Sequence, residues 1–257
     1  MSVAETRAVR IVRALGLEAS TTAGDNDAHR QGGPPPSYGL QEITGGKARA
    51  IALNLPVEGF PKRRRPSGQP MMETGWHYHN IDLQLAFISS GAIDIAYADG
   101  QWRRYEAGEI LVIPGGVPHN AANASEDYGL VEFTLPGDFG TIPCPPHPMD
   151  EPVMGFVLDD SQVRPNPIDG VAEYVLAPHV ARVADLRLLK AGEGAVETPP
   201  GGLCFTLLTH GRCEIDAEGS RETLGPWDMA IDDAKHGRGR LLSRSPDFRA
   251  YQVQLRT

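Results

Sequence analysis

The sequence predicts an all-β protein made of two β-sandwiches or barrels, preceded by a short N-terminal helix. Three observations predict this class: short apolar runs that alternate every two residues, Gly, Pro, Asn and Asp turns between them, and a weak internal repeat. The runs are 49–55, 83–88, 92–97, 109–113 and 128–135 in the first half, and 171–176, 184–191, 203–210, 212–217, 229–233 and 248–255 in the second.

The helix is predicted over residues 5–17, where apolar side chains recur at helical spacing and arginines occupy another face. Gly16 is placed to end it. Residues 18–37 contain almost no apolar side chains and finish in Gly-Gly-Pro-Pro-Pro-Ser, which is typical of a flexible connector. The first 37 residues are therefore predicted to be a helix and its connector, outside the first β-domain.

The repeat predicts two copies of one β-domain. The segment 108–119, GEILVIPGGVPH, aligns without a gap with 225–236, GPWDMAIDDAKH. A proline-rich stretch between the copies cannot contribute fully to a sheet and indicates a linker. The predicted domains are 38–142 and 171–257, joined by a linker over 143–170.

Composition excludes several function classes. The chain has 257 residues and a net charge of −9, so neither nucleic acid nor an anionic membrane is an expected partner. The basic run Lys62–Arg65 can be interpreted either as a solvated loop or as a clamp for an anionic substrate.

Three cysteines without a CxxC pair argue against a disulfide framework. With no long apolar stretch, a cytoplasmic location is expected.

Three histidines are candidate metal ligands. Residues i and i+2 of a strand point to the same face, so His77 and His79 are expected to project together. His119 follows the turn Pro114-Gly115-Gly116 and is expected on the next strand. Gln84 is an odd number of residues from His79, and it joins them only if the chain turns or bulges at 80–82. Neutral imidazoles suit zinc, iron, nickel or manganese.

The same residues resemble the two motifs of the cupin superfamily. The first motif is matched by His77 and His79, by Gln84 in place of the usual glutamate, and by Gly91. Its leading glycine is absent, because Met71 occupies that position. The second motif is matched without a departure at Gly108, Pro114, Gly116, His119 and Asn123.

The resemblance implies a double-stranded β-helix, the cupin or jelly-roll barrel, in each copy. It further implies a divalent transition metal (Zn, Mn, Fe or Ni) in the N-terminal copy, bound by His77, His79, Gln84 and His119. Asp82 is a competing oxygen ligand, and Asn123 is expected to be a turn or supporting residue. Family members commonly pair through strand edges, so a homodimer is expected.

The second copy is expected to have lost its metal. Counting back from Gly211, the positions that match the first three ligands fall on Glu197, Pro199 and Cys204, and only His236 keeps its identity. This bicupin would therefore use its C-terminal barrel for packing or dimerisation.

Three functions stay open at this stage. Three imidazoles and an amide leave a bound divalent ion its full charge, which favours a non-redox lyase or isomerase acting on a small oxygenated organic acid or carbonyl compound. A metal-dependent dioxygenase of a phenolic or diketone substrate is the first alternative, and a non-catalytic binding protein is the second. The sequence assigns no general acid or base.

Overall fold

We describe a computed structural model of the chain over residues 9–19, 36–62, 73–145, 156–200, 202–217, 219–233 and 239–256. The chain divides into two compact units. The histidine unit comprises Leu17–Asp159, and the C-terminal unit comprises Met1–Gly16 together with Asp160–Thr257. The arginines of the 62–65 run after Lys62, His236 and most of the predicted connector lie outside the described residues.

The histidine unit contains twelve strands and one short helix among its described residues. They are β2 (Glu18–Ala19), β3 (Pro36–Ser37), α1 (Leu40–Thr44), β4 (Arg49–Leu53), β5 (His77–His79), β6 (Leu83–Ser90), β7 (Ala92–Tyr97), β8 (Trp102–Glu106), β9 (Ile110–Pro114), β10 (His119–Ala122), β11 (Gly129–Leu135), β12 (Thr141–Pro143) and β13 (Phe156–Val157).

These strands form two antiparallel sheets around one core. The larger sheet has the order β13-β9-β6-β11-β4-β3-β2, and the smaller has the order β12-β5-β10-β7-β8. Ile88 and Ile113 of the larger sheet pack with Ile93 and Ile95 of the smaller sheet in a single buried cluster. Burial of these facing apolar side chains, at about 25 cal/mol per Å², holds the two sheets together.

The C-terminal unit repeats this arrangement. Its elements are β1 (Val9–Val12), β14 (Val163–Pro165), β15 (Val171–Tyr174), α2 (Pro178–Ala181), β16 (Ala184–Lys190), β17 (Val196–Glu197), β18 (Leu203–His210), β19 (Cys213–Ala217), β20 (Ser220–Leu224), β21 (Met229–Asp233), β22 (Arg240–Arg244) and β23 (Arg249–Leu255). The sheet orders are β1-β21-β18-β23-β16-β15-β14 and β17-β22-β19-β20. The central orders β9-β6-β11-β4 and β21-β18-β23-β16 correspond strand for strand. The prediction of an all-β, jelly-roll protein is confirmed.

The predicted N-terminal helix is wrong over its described residues. Val9–Val12 is strand β1, which pairs antiparallel with β21, and only Ala14–Gly16 forms a turn of 3₁₀ helix. β-Branched side chains favour a strand, and β21 supplies the backbone partners that an isolated helix would have to find in itself. Val9 is buried in the core of the C-terminal unit, so tertiary burial overrides the helical spacing.

The predicted linker is partly structured. Its described ends contribute residues to β12, β13 and β14, and the two units divide at Asp159 and Asp160, inside the predicted range of 143–170. Residues 146–155, which include most of the prolines that predicted the linker, lie outside the described residues. Within the described chain, no helix has both the length and the apolar character needed to span a membrane.

Candidate metal centre

The three predicted histidines converge in the histidine unit. His77 and His79 lie on β5, and His119 pairs directly with His77 across the antiparallel ladder between β5 and β10. Paired residues on adjacent strands point to the same face, so the register alone brings these rings together. The ring centroids are 4.4 to 5.1 Å apart. All three side chains are buried.

The cluster has the dimensions of a metal site. Its three ligand atoms lie within 4.8 Å of one another, and it is the one such group of His, Cys, Asp and Glu side chains in the described chain. Nitrogens bound to one ion at about 2.1 Å in a tetrahedral site lie about 3.4 Å apart. The rings therefore need to close by no more than about 1.4 Å to share an ion.

Backbone carbonyls orient two of the rings. The Nδ1 of His77 lies 2.7 Å from the Gly75 carbonyl oxygen, and that of His119 lies 2.9 Å from the Val117 carbonyl oxygen. A carbonyl only accepts hydrogen bonds, so each Nδ1 carries the proton and donates it. In the neutral ring this leaves Nε2 as the ligand atom, as in many metal sites. The Nδ1 of His79 instead faces the Thr141 hydroxyl at 3.2 Å.

The electrostatics of the cluster keep His119 neutral. Burial, followed by the nearby His77 and His79, lowers the pKa of His119 to about 3. The Val117 carbonyl and the Glu132 carboxylate act in the opposite direction but do not outweigh burial. A ring that stays unprotonated at neutral pH is ready to bind a cation.

Gln84 faces the same interior, as the predicted turn requires. Residues 80–82 are bends between β5 in the smaller sheet and β6 in the larger, so the chain changes sheets there. Gln84 pairs with Ile113 on one side and Thr134 on the other, and Ile113 belongs to the core between the sheets. The Gln84 side chain therefore points into the barrel.

The Gln84 amide oxygen lacks a hydrogen-bond partner among the described residues. Gln84 is 8% exposed, and its Oε1 and the Thr134 hydroxyl are both buried atoms of this kind. Leaving such a group unsatisfied costs about 1–3 kcal/mol. A cation or a metal-bound water next to the imidazoles would satisfy the Gln84 oxygen, so the residues present fit the implied metal.

The glycine turn of the second motif supports this arrangement. A Cβ on Gly115 would stand 1.6 Å from the Ile81 carbonyl oxygen, so only glycine permits the turn after β9 to pack against the turn after β5. The Gly116 N–H donates to the His79 carbonyl at 3.1 Å. The two motifs are therefore held together by their backbones. Asp82, the competing ligand, is exposed, and Asn123 takes a turn conformation with φ 50°.

Sequence reasoning missed two buried charged residues of this interior. Arg49 and Glu132 are 3% and 8% exposed. Glu132 pairs with Ala86, and Arg49 pairs with Thr134, so both share the face of Gln84. The available signal was strand alternation, which puts Leu130, Glu132 and Thr134 on one face but does not say whether that face is inside.

The register of the C-terminal unit corrects the earlier alignment. Asp216 pairs with Arg240, and the Thr198 N–H donates to the Gly239 carbonyl. Since Ala96 pairs with Asn120 in the histidine unit, Gly239 rather than His236 stands at the position of His119.

Thr198 likewise stands at the position of His77, where the sequence alignment had placed Glu197. The gapless alignment of 108–119 with 225–236 was wrong, because β21 is offset from it by two residues and the position of His119 by three. Cys204, which pairs with Asp232 and Gln254, does correspond to Gln84.

Comparisons with known proteins identify the fold. The sequence profile of the Cupin domain family matches residues 68–134, the segment that carries all three histidines and Gln84. This segment of the chain is therefore similar to a cupin domain. No curated protein sequence matches the chain significantly.

Solved structures resemble much more of the chain. The salicylate 1,2-dioxygenase of Pseudaminobacter salicylatoxidans matches with a TM-score of 0.57 and 13% identity, over 80% of this chain and 70% of that one. Its adduct with gentisate matches with a TM-score of 0.59 and 12% identity, over 96% and 81%. A variant of Bacillus subtilis oxalate decarboxylase matches with a TM-score of 0.56 and 11% identity, over 95% and 76%. At these identities the likeness shows the fold.

Proposed function

We propose that this chain is a metal-dependent cupin enzyme, a non-redox lyase or isomerase that acts on a small oxygenated organic acid or carbonyl compound. His77, His79, Gln84 and His119 would hold a divalent transition metal. The observation that carries the proposal is the convergence of three buried imidazoles, with ligand atoms within 4.8 Å of one another, in a barrel that also contains the unsatisfied amide oxygen of Gln84.

The ligand set favours Lewis-acid chemistry. Three neutral rings and an amide offset none of the charge of a divalent ion, which when bound would polarise a carbonyl or carboxyl oxygen of the substrate. The backbone acceptors at Gly75 and Val117 keep two of the rings in their ligating orientation. The apolar core below the histidines keeps bulk water away from that side of the site.

Glu132 is our choice for the residue that moves a proton. It is a buried carboxylate on the interior face of β11, close enough to His119 to influence its pKa. A lyase or an isomerase needs a group that accepts a proton from one substrate atom and returns it to another. A Glu132→Gln variant should therefore bind metal normally and lose turnover.

The same site supports a second candidate, a metal-dependent dioxygenase of a phenolic substrate. The observation that favours it is the fold likeness to a salicylate 1,2-dioxygenase and to its adduct with gentisate. Three histidine ligands with open positions would also accommodate a bidentate phenolic acid.

Metal analysis and oxygen uptake separate the candidates. The purified protein should contain about one metal ion per chain and, loaded with zinc, manganese or nickel, convert a hydroxy or keto acid without oxygen, followed by NMR under nitrogen. Turnover that requires iron and consumes oxygen would replace the lyase or isomerase with the dioxygenase. A protein that binds organic acids without metal would overturn both and indicate a binding protein.

We also infer a bicupin that carries metal only in its histidine unit and forms a homodimer in the cytoplasm. The shared strand order of the two units supports the duplication, and the cupin resemblance supports the dimer. Light scattering on the purified chain tests the dimer, since a monomeric mass would contradict it.

A further inference from the structure

Two buried polar side chains lie next to each other on the ladder between β6 and β11. Gln84 pairs directly with Thr134, so both side chains project from the interior face of the larger sheet. Gln84 is 8% exposed and Thr134 is 1% exposed. Among the described residues, neither the Gln84 Oε1 nor the Thr134 hydroxyl has a hydrogen-bond partner. The ladder therefore carries an unsatisfied acceptor beside an unsatisfied hydroxyl.

These two groups are able to bond to each other, yet they do not. A threonine hydroxyl donates as well as accepts, and an amide oxygen accepts. Directly paired residues have Cβ atoms about 4.5–5.5 Å apart, which is within reach of a glutamine side chain. Each buried polar group without a partner lowers stability, so neighbours of this kind normally satisfy each other. Their failure to do so indicates that both groups are directed at a third one.

The path of the chain places this pair at the histidine end of the barrel. The bends at 80–82 lead from His79 on β5 to the start of β6, where Gln84 lies. Thr134 lies near the end of β11, and the chain then returns to β12, where Thr141 pairs with His79. Phe139, within this second connection, packs its ring 5.2 Å from the ring of His79. Both connections thus join the unsatisfied pair to a candidate metal ligand.

We propose that Thr134 is a specificity-determining residue whose hydroxyl donates a hydrogen bond to the substrate oxygen that faces the metal. With the Gln84 oxygen directed at the cation, the hydroxyl is the unsatisfied group that remains for the substrate. A carboxylate or carbonyl oxygen only accepts hydrogen bonds, so the hydroxyl is the donor. The ligand class is then a small compound that presents such an oxygen to the metal. This inference rests on the proposed function, and it holds for either candidate chemistry.

Acetate binding to the cobalt-loaded protein tests this role. Acetate offers a carboxylate and no other polar group, and its binding is followed through the visible absorption of the cobalt. Thr134→Val removes the hydroxyl at nearly constant shape and should weaken acetate binding about 10- to 100-fold, the range expected for a hydrogen bond to a charged group. Thr134→Ser, which keeps a hydroxyl, should retain most of the affinity. Unchanged acetate binding in Thr134→Val overturns the inference.

Imidazole is the control ligand. It binds a metal through a nitrogen whose lone pair is then used, so the metal-bound atom has nothing left to accept from a hydroxyl. Its affinity should therefore be the same in Thr134→Val and in the intact protein. An equal loss of acetate and imidazole binding would show that the substitution disturbs the site in general, and it would overturn the assigned hydrogen bond.

The stability of the metal-free protein separates a ligand-binding hydroxyl from a structural one. Thr134→Val removes a buried group that has no partner, so the urea midpoint of chelator-treated protein should stay the same or rise. A lower midpoint, or a variant that does not fold, would mean that the hydroxyl already has a structural partner, and it would overturn the inference.

Thr206→Val is the matched control in the C-terminal unit. Thr206 is also buried on an interior face, but its hydroxyl accepts from the Gln252 amide at 3.2 Å. Removing a bonded hydroxyl leaves the amide unsatisfied, so this variant should lower the urea midpoint and leave acetate binding unchanged. Weakened acetate binding in Thr206→Val would mean that the effect is not specific to Thr134 and would contradict its role.

The two proposals fail in different ways. A protein that holds no cobalt refutes the metal site, the proposed function and this inference together. A protein that holds one cobalt ion per chain, yet binds acetate equally well with and without the Thr134 hydroxyl, refutes the role of Thr134 alone.

Discussion

The two units place different side chains on the same ladder positions. The histidine unit has His77, His119 and Gln84 where the C-terminal unit has Thr198, Gly239 and Cys204. Strand order and pairing are conserved between them, yet one interior holds three imidazoles and the other holds none at the matching positions. The fold thus fixes where side chains meet, and the residues at a few positions decide what can bind there.

The polar character of the interior nevertheless persists in the C-terminal unit. Gln252 is 2% exposed and donates to the Thr206 hydroxyl at 3.2 Å, on the face that corresponds to Glu132. Asp232 is equally buried, and its carboxylate accepts from the Gly239 N–H. Gln252 and Gln84 each keep a buried amide oxygen without a hydrogen-bond partner among the described residues. The two units therefore differ in the three imidazoles of the histidine unit, and not in whether their buried polar groups are satisfied.

The largest expected effect comes from removing imidazoles. A His77→Ala/His119→Ala double variant should lower metal affinity at least about a thousand-fold, because two of the three rings are lost. Plasma emission analysis after dialysis would show bound metal falling from about one ion per chain to almost none.

The control for this change lies in the other unit. His210→Ala alters an exposed strand end of the C-terminal unit and should leave the bound metal unchanged. Metal retained by the double variant, or lost from the control, would contradict the assignment of the site to one unit.

Gly115→Ala should be the next largest change. The added Cβ would collide with the Ile81 carbonyl, so we expect a loss of about 3 kcal/mol in the free energy of unfolding of the histidine unit. Urea unfolding followed by fluorescence in a Trp227→Phe background reports on this unit, because Trp76 and Trp102 both lie in it.

Gly140→Ala provides a matched comparison nearby. Its Cβ would meet only the Asn80 side chain, at 3.5 Å, and the cost should stay below about 1 kcal/mol. Similar losses for the two alanine variants would mean that the turn at Gly115 can relax and does not tie the motifs together.

Gln84→Ala tests the amide ligand. Losing one neutral oxygen should weaken metal binding about 10- to 100-fold, measured by competition with a chromophoric chelator. Cys204→Ala, at the matching position of the C-terminal unit, should have no effect on the metal. An unchanged affinity in Gln84→Ala would leave a three-histidine site.

Acid should destabilise the metal-free histidine unit. The pKa of His119 is lowered to about 3 in the fold and is about 6.5 in an unfolded chain. The unfolded state therefore binds more protons between these values, and stability is fully present above about pH 6.5 and falls with decreasing pH. One such group gives a slope of up to about 1.4 kcal/mol per pH unit.

Urea unfolding of chelator-treated protein at pH 7 and pH 5 measures this loss. His119→Asn should flatten the slope, because asparagine does not titrate, while His210→Asn should keep it. A slope that survives in His119→Asn would assign the acid sensitivity to another group.

Much of the candidate metal site could be predicted from the sequence, because its histidines and Gln84 lie in two short segments with strict local spacing. Strand geometry alone predicts that the side chains of His77 and His79 project from the same face. The turn at 80–82 that redirects Gln84 was also signalled, by the odd spacing. Local geometry was sufficient wherever one strand or one turn decided the outcome.

The missed features depend on long-range pairing. The segment Val9–Val12 has helical spacing but becomes an edge strand because β21 lies beside it, more than two hundred residues later in the chain. Arg49 and Glu132 were not singled out, because alternation separates the two faces of a strand without saying which face is inside. Strand β21 is offset by two residues from the matching segment of the first repeat, and a comparison of the two repeats without gaps cannot detect such an offset.

The acceptors that orient His77 and His119 belong to the main chain. Every residue type at positions 75 and 117 carries a carbonyl, so side-chain replacement there does not delete the acceptor itself. Substituting the rings would therefore remove the candidate ligands and leave the backbone that orients them intact. Ligand side chains could then be returned to positions 77 and 119 without rebuilding their surroundings.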